Sequence, residues 1–87
     1  MTNICKFLST EVTLNGTANT IYNGTLIRLV NTVNQHHHIT QSYANGATRY
    51  TYTIVADSDL IIQKDSTDGL NVDSGSDVFA ACIAYKN

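Results

Sequence analysis

The sequence predicts an all-β domain, a small antiparallel sandwich or barrel of about six to seven short strands, and three observations carry that prediction. Polar and apolar residues alternate with a period of two over short stretches, most clearly where Arg49, Thr51 and Thr53 oppose Tyr50, Tyr52 and Ile54. Two Asn-Gly steps, Asn15-Gly16 and Asn23-Gly24, lie between residues of high strand propensity, and Asn-Gly supplies the positive φ angles of two-residue hairpin turns. Proline is absent and no Gly/Ser linker or charge block interrupts the 87 residues, so positions 1–87 read as a single domain.

Taken in order, Cys5 to Leu14 form a first strand, Thr17 to Tyr22 a short second one, and a long third strand begins at Thr25. With the Asn-Gly turns between them, these three are expected to form a meander. In the third strand Leu26, Arg28, Val30, Thr32 and Asn34 alternate with Ile27, Leu29, Asn31 and Val33. Both sets are apolar near its start, which predicts a central strand covered on both sides. A loop at Ala44-Asn45-Gly46-Ala47 leads into a strand over Thr48 to Val55, Asp57-Ser58-Asp59 turns the chain, and Leu60 to Lys64 form a further strand. Asp65 to Asp77 is a long polar loop, and Val78 to Lys86 closes the domain. Three alanines in that last segment lend it some helical propensity. It is nine residues long without amphipathic charge placement, so a buried strand is expected.

A chain of this length buries only about 60 to 65% of its unfolded surface, so its own core is thin and an outside source of stability is expected. The two cysteines, Cys5 and Cys82, stand near opposite ends with no CxxC pair and no histidine at zinc-ligand spacing. Residues 1–10 hold one lysine and no apolar run long enough for a signal or anchor. The expectation is therefore a soluble chain made in a reducing cytosol, with two free buried thiols rather than a Cys5 to Cys82 bridge. Net charge is −2, and Lys6, Arg28, Arg49, Lys64 and Lys86 are scattered singly, so no basic stripe exists for a nucleic-acid backbone. Thr, Asn and Ser supply 12, 9 and 6 residues against 14% charged residues. Such a polar, weakly charged surface suits a face that lies against neighbours.

Candidate sites each have a plain structural reading. His36 and His38 project from one face if their stretch is a strand, and His37 from the other. In a trimer with its axis beside this strand, His36 and His38 of each chain would offer six nitrogen ligands to a transition metal; the plainer reading is exposed histidines at a strand end. Asp57, Asp59, Asp65, Asp68, Asp73 and Asp77 all fall between residues 57 and 77 but lack the Asp-x-Asp-x-Asp-Gly calcium ladder, and turn capping explains them more simply. Asn15-Gly16-Thr17 and Asn23-Gly24-Thr25 match the glycosylation pattern, yet read as hairpin turns. No Gly-x-Ser-x-Gly elbow, glycine-rich phosphate loop or paired acids in an apolar context is present, so no catalytic residue, cofactor-binding residue or resident metal is assigned and the chain is not expected to be an enzyme.

Three stretches, Ile27-Arg28-Leu29-Val30-Asn31-Thr32, Lys64-Asp65-Ser66-Thr67-Asp68-Gly69-Leu70 and Ala80-Ala81-Cys82-Ile83-Ala84-Tyr85, resemble in kind and order a group of short structural proteins from tailed bacteriophages, cyanophages among them. The resemblance implies a β-rich virion component made in the host cytoplasm, foremost a capsid decoration (cement) protein clamping neighbouring coat subunits. The implied partners are coat protein or other virion subunits and further copies of this chain, a trimer among the options, with no nucleic acid or membrane. Exposed strand edges and the Asp65–Asp77 loop are the expected contacts. The alternatives are a small neck or tail part, including a receptor-facing tip in which Tyr43, Tyr50 and Tyr52 stack on sugars, and a carbohydrate-binding module unrelated to phage.

Overall fold

The computed structural model describes residues 4–73, 75 and 77–86, and for Ile4, Tyr85 and Lys86 the backbone alone. Eight strands and no helix build the described residues: β1 (Ile4–Phe7), β2 (Val12–Thr13), β3 (Leu26–Asn31), β4 (His37–Ser42), β5 (Thr48–Ile54), β6 (Asp59–Gln63), β7 (Gly69–Val72) and β8 (Val78–Lys86). The all-β class expected from the alternation is what forms. So is the strand over Val78 to Lys86, whose alanines pack into the sheet instead of starting a helix.

Two antiparallel sheets face each other. One runs β1-β8-β3-β6, with β2 pairing β8 on the same side as β1; the other runs β5-β4-β7. The pairings are nested about the β4–β5 hairpin: β3 with β6 outside it, Asn19 with Leu70 outside those, and β1 and β2 with β8 outermost. Folding that nested ribbon over on itself brings β8 beside β3 and β7 beside β4. A long hairpin rolled up in this way is a jelly roll, here built with short strands.

The roll corrects the expected meander. β8 lies between β2 and β3, so no in-plane turn can join those strands. Residues 15–25 instead cross to the far sheet, where the Asn19 N–H donates to the Leu70 carbonyl at 2.9 Å and the reverse bond is 2.8 Å, and then return. Thr17 to Tyr22 is accordingly not a strand. The return uses three successive left-handed residues, Ile21, Tyr22 and Asn23, at φ 52°, 58° and 56°. A β-branched residue adopts that conformation at a cost, which the complete burial of Ile21 offsets. Gly24 follows because a Cβ there would lie 2.5 Å from the Cys82 Sγ. The third strand also ends sooner than its alternation suggests: β3 stops at Asn31, and the chain crosses over 32–36 to open β4 on the other sheet. β7 forms inside the expected polar loop, because Leu70 and Val72 on alternate positions close the core.

The first edge strand is broken. Phe7 pairs with Ile83 and Val12 with Ala80, so residues 8–11 stand opposite only 81 and 82. The Leu8 N–H donates to the Cys82 carbonyl at 2.8 Å, and the Cys82 N–H donates to the Ser9 hydroxyl at 3.0 Å, a side chain replacing backbone in the ladder. The core between the sheets is aliphatic, with Leu14, Ile21, Ile27, Leu29, Ile39, Ile54, Leu70, Val72 and Val78 buried, and Val12, Tyr52, Leu60 and Ile62 packed at its margin.

Candidate functional site

Register fixes what each sheet shows to the outside, since partners across a ladder share a face. On the β1-β8-β3-β6 sheet, Ile27, Leu29 and Asn31 face inward with Cys82, Ala80 and Val78. The outward set is then Leu26, Arg28 and Val30 on β3, Phe79, Ala81 and Ile83 on β8, Cys5 and Phe7 on β1, and Ile61 on β6, with Thr13, Asp59 and Gln63 as further polar members. This outer face is mainly apolar. Phe7 is 54% exposed and Ile61 39%, Val30 and Phe79 are half-buried, and Ala81 and Ile83 are already buried beneath their neighbours. Its charges within the strands form one pair, Arg28 Nη2 to Asp59 Oδ2 at 3.2 Å. The outer side of the expected central strand β3 is therefore only half covered. The other sheet shows the opposite chemistry, with His38, Thr40, Thr51, Thr53 and Asn71 outward. The Thr53 hydroxyl meets the His38 Nδ1 at 3.1 Å.

Each end of the core carries a polar cluster. At one end the ladder slips between Gln41 and Ser42, which face Tyr50 and Thr48, so Arg49 is the extra residue of a bulge. Its Nη1 donates to the Asp65 carboxylate at 2.7 Å and to the buried Asp68 carboxylate at 3.1 Å, and its guanidinium lies 5.0 Å from the Tyr43 ring centre and 5.4 Å from that of Tyr50. The Gln41 amide donates to Asp68 at 2.9 Å and accepts from the Tyr52 hydroxyl at 3.2 Å. Lys64, only 5% exposed, points inward and donates to the carbonyls of Asp65 at 3.2 Å and Ser66 at 3.5 Å. Burial lowers the Lys64 pKa, against the pull of Asp68, and burial with Asp68 nearby pushes the Tyr52 hydroxyl up to about 12.

At the other end Asn31 holds the crossover between sheets. Its amide nitrogen donates to the carbonyls of Gln35 at 2.6 Å and Val55 at 3.2 Å, while its side-chain oxygen accepts from the Val33 N–H at 3.2 Å. Beside it His37 is buried, with Nδ1 3.0 Å from the Asp73 carboxylate. The His37 Nε2 is 3.5 Å from Asp77 and makes no hydrogen bond.

The singled-out residues are thus divided. His36 is exposed and its Nδ1 accepts from the Ala56 N–H at 3.0 Å; His38 is exposed on the threonine face; His37 is a core residue, and its place at an inward position of β4 was the available signal. Among the described residues no group of three or more His, Cys, Asp or Glu side chains is placed to hold a metal ion. Five of the six crowded aspartates have basic partners: Asp59 with Arg28, Asp65 and Asp68 with Arg49, Asp73 and Asp77 with His37. Asp57 occupies a left-handed turn position. Cys5 and Cys82 are free, Cys82 buried and Cys5 half-buried. Cys82 faces the core with Ile27 while Cys5, two residues from Phe7, lies on the outer side, so the sheet itself separates them. Tyr43 and Tyr50 are exposed, but Tyr52 is half-buried against the core. Two shallow open clefts, of about 310 and 290 Å³, lie beside the ion pairs Arg28–Asp59 and Arg49–Asp65, with Asp57 also lining the first and Lys64 the second. No helix in the described residues is long and apolar enough to cross a membrane. No protein-family model, curated protein or solved structure matches the chain.

Proposed function

We propose that the chain is a virion structural subunit of the capsid-decoration kind, seated on coat subunits through the outer face of its β1-β8-β3-β6 sheet and held there by protein contacts alone. The observation that carries this reading is the contrast between the two outer faces. Phe7, Val30, Ile61 and Phe79 form an apolar surface with a single compensated charge pair, while the opposite face carries Thr40, Thr51, Thr53 and Asn71. A contiguous apolar surface on a small domain marks a place where another protein sits. Burying such side chains contributes about 1.5–3 kcal/mol each, and many copies on one shell act together even where each is held weakly. Jelly rolls recur in capsid domains, an analogy of fold that leans the same way.

A second reading, a tail-tip or carbohydrate-binding module, has Tyr43 and Tyr50 exposed on either side of Arg49 in its favour. It is weakened because both rings already stack on the guanidinium and Tyr52 is turned inward. Cosedimentation with expanded empty capsids tests the leading reading. Wild type and Thr51→Asp should bind at a fixed copy number, and Phe7→Asp should not. Absence of wild-type binding, or equal binding by Phe7→Asp, would overturn it, and retention on a glycan array would favour the second.

A further inference from the structure

Four strand edges are open to solvent or to a partner in a sandwich of this order, and three of them are blocked. The β1/β2 edge is broken by the insertion at 8–11 and carries Lys6 and Glu11. The β5 edge is bent by the bulge at Arg49. The β7 edge is capped by backbone bonds, Val72 N–H to the Asn15 carbonyl at 3.0 Å and the Asn19–Leu70 pair. The remaining edge, β6, is a regular run Asp59-Leu60-Ile61-Ile62-Gln63 without bulge, proline or lysine. Those are the devices by which edge strands avoid pairing with other chains.

Ladder geometry says which groups β6 presents. The Asn31 N–H donates to the Ser58 carbonyl and the Lys64 N–H to the Thr25 carbonyl, each at 2.8 Å. Antiparallel strands alternate bonded and non-bonded pairs, so positions 58, 60, 62 and 64 turn their backbone groups toward β3. Asp59, Ile61 and Gln63 turn theirs away, to the free edge. From this we infer that β6 pairs antiparallel with β6 of a second copy of this chain, about a two-fold axis through Ile61.

The register is self-complementary. Ile61 meets its own copy in a bonded pair, and Asp59 meets Gln63 in two more, so all the outward N–H and C=O groups of the strand find partners. Leu60 meets Ile62 on the core side, where both are half-buried in the single chain. Within β6 no like charges oppose, because the carboxylate of Asp59 faces an amide. The dimer has one continuous sheet of order β1-β8-β3-β6-β6-β3-β8-β1, and the apolar outer faces join across the axis with the exposed Ile61 pair at the centre. This pairing stands independently of the virion reading, since it needs no coat protein.

Sedimentation equilibrium on the full chain tests it. The expected mass is twice the chain's 9.5 kDa for wild type and for Thr51→Lys on the β5 edge. Ile61→Lys sets two ammonium groups face to face at the axis, and Ile61→Pro removes the outward N–H while leaving the β3 ladder intact. Both should halve the mass with an unchanged far-ultraviolet circular dichroism spectrum, and the Ile61 amide should exchange faster in Ile61→Lys than in wild type. Wild type at the single-chain mass up to millimolar concentration, a trimer, or a doubled mass that survives both substitutions would overturn the proposal. Loss of capsid binding by a protein that still dimerises would overturn only the functional reading.

Discussion

At one end of the sandwich Asp68, 1% exposed, accepts from Arg49 and Gln41, Gln41 accepts from Tyr52, and Lys64 reaches two loop carbonyls. At the other end His37, equally buried, bonds a half-exposed Asp73, and its Nε2 lies 3.5 Å from Asp77 without a hydrogen bond. Each cluster leaves one buried nitrogen without a hydrogen bond, Arg49 Nε in the first and His37 Nε2 in the second; the difference is that the first surrounds a fully buried carboxylate, whereas the carboxylates beside His37 are partly exposed. Removing a member should therefore be costly in the first, where a charge would be stranded, and mild in the second, where water takes over.

The largest expected effect is Asp68→Ala, which strands Gln41 and removes the buried partner of Arg49. Arg49 keeps Asp65 while the buried Gln41 amide loses its acceptor, so unfolding free energy should fall by about 2–3 kcal/mol in denaturant titrations, and a loss under about 1 kcal/mol would show that the network contributes little. Gly24→Ala strikes the same end through sterics, driving a Cβ into the Cys82 Sγ, with an expected cost of about 1–3 kcal/mol. At the opposite end His37→Leu keeps the volume and removes one contact of the partly exposed Asp73, so a change of about 1 kcal/mol or less is expected in the same assay. A loss as large as that of Asp68→Ala would erase the contrast between the ends.

The smallest effect is read in alkali. The raised Tyr52 pKa means the folded state holds its proton more tightly, so that contribution is complete below pH 10 and disappears as pH climbs to about 12. Lys64 has the opposite sign: its lowered pKa penalises the folded state at neutral pH, and the penalty lifts as pH rises toward 10.5. Stability measured from pH 8 to 12 should rise slightly and then fall. Lys64→Met should remove the rise and Tyr52→Phe the fall.

Alternation made the strands around Leu26, Thr48, Leu60 and Val78 legible, because each keeps one face on an aliphatic core. Hairpin chemistry misled at Asn23-Gly24, since turn type is local while strand order is global: the partner that β3 takes is β8, from the far end of the chain. β7 was hidden because four residues flanked by Asp, Ser and Thr look like a loop unless Leu70 and Val72 are known to plug the core. The same distance in sequence hid the Asp68–Gln41–Arg49 network. The apolar outer face was half visible, since both registers of β3 carry apolar residues. Their meaning inverted once the outer set proved only half covered.

The nested pairing also bears on how fast this chain can assemble. Only the β4–β5 hairpin can close locally, and each further pairing of the nested ribbon encloses the one before it, ending with β1 against β8. Closure of such distant segments is entropically slow, which puts folding on the millisecond-to-second scale of non-local β proteins. Until β8 docks between β1 and β3, the sheet with the apolar outer face lacks a central strand. Joining the paired ends and reopening the chain at Ala44–Ala47 would make β1–β8 the local hairpin and β4–β5 the most distant pairing, so the order in which the pairings close is expected to invert without changing the roll.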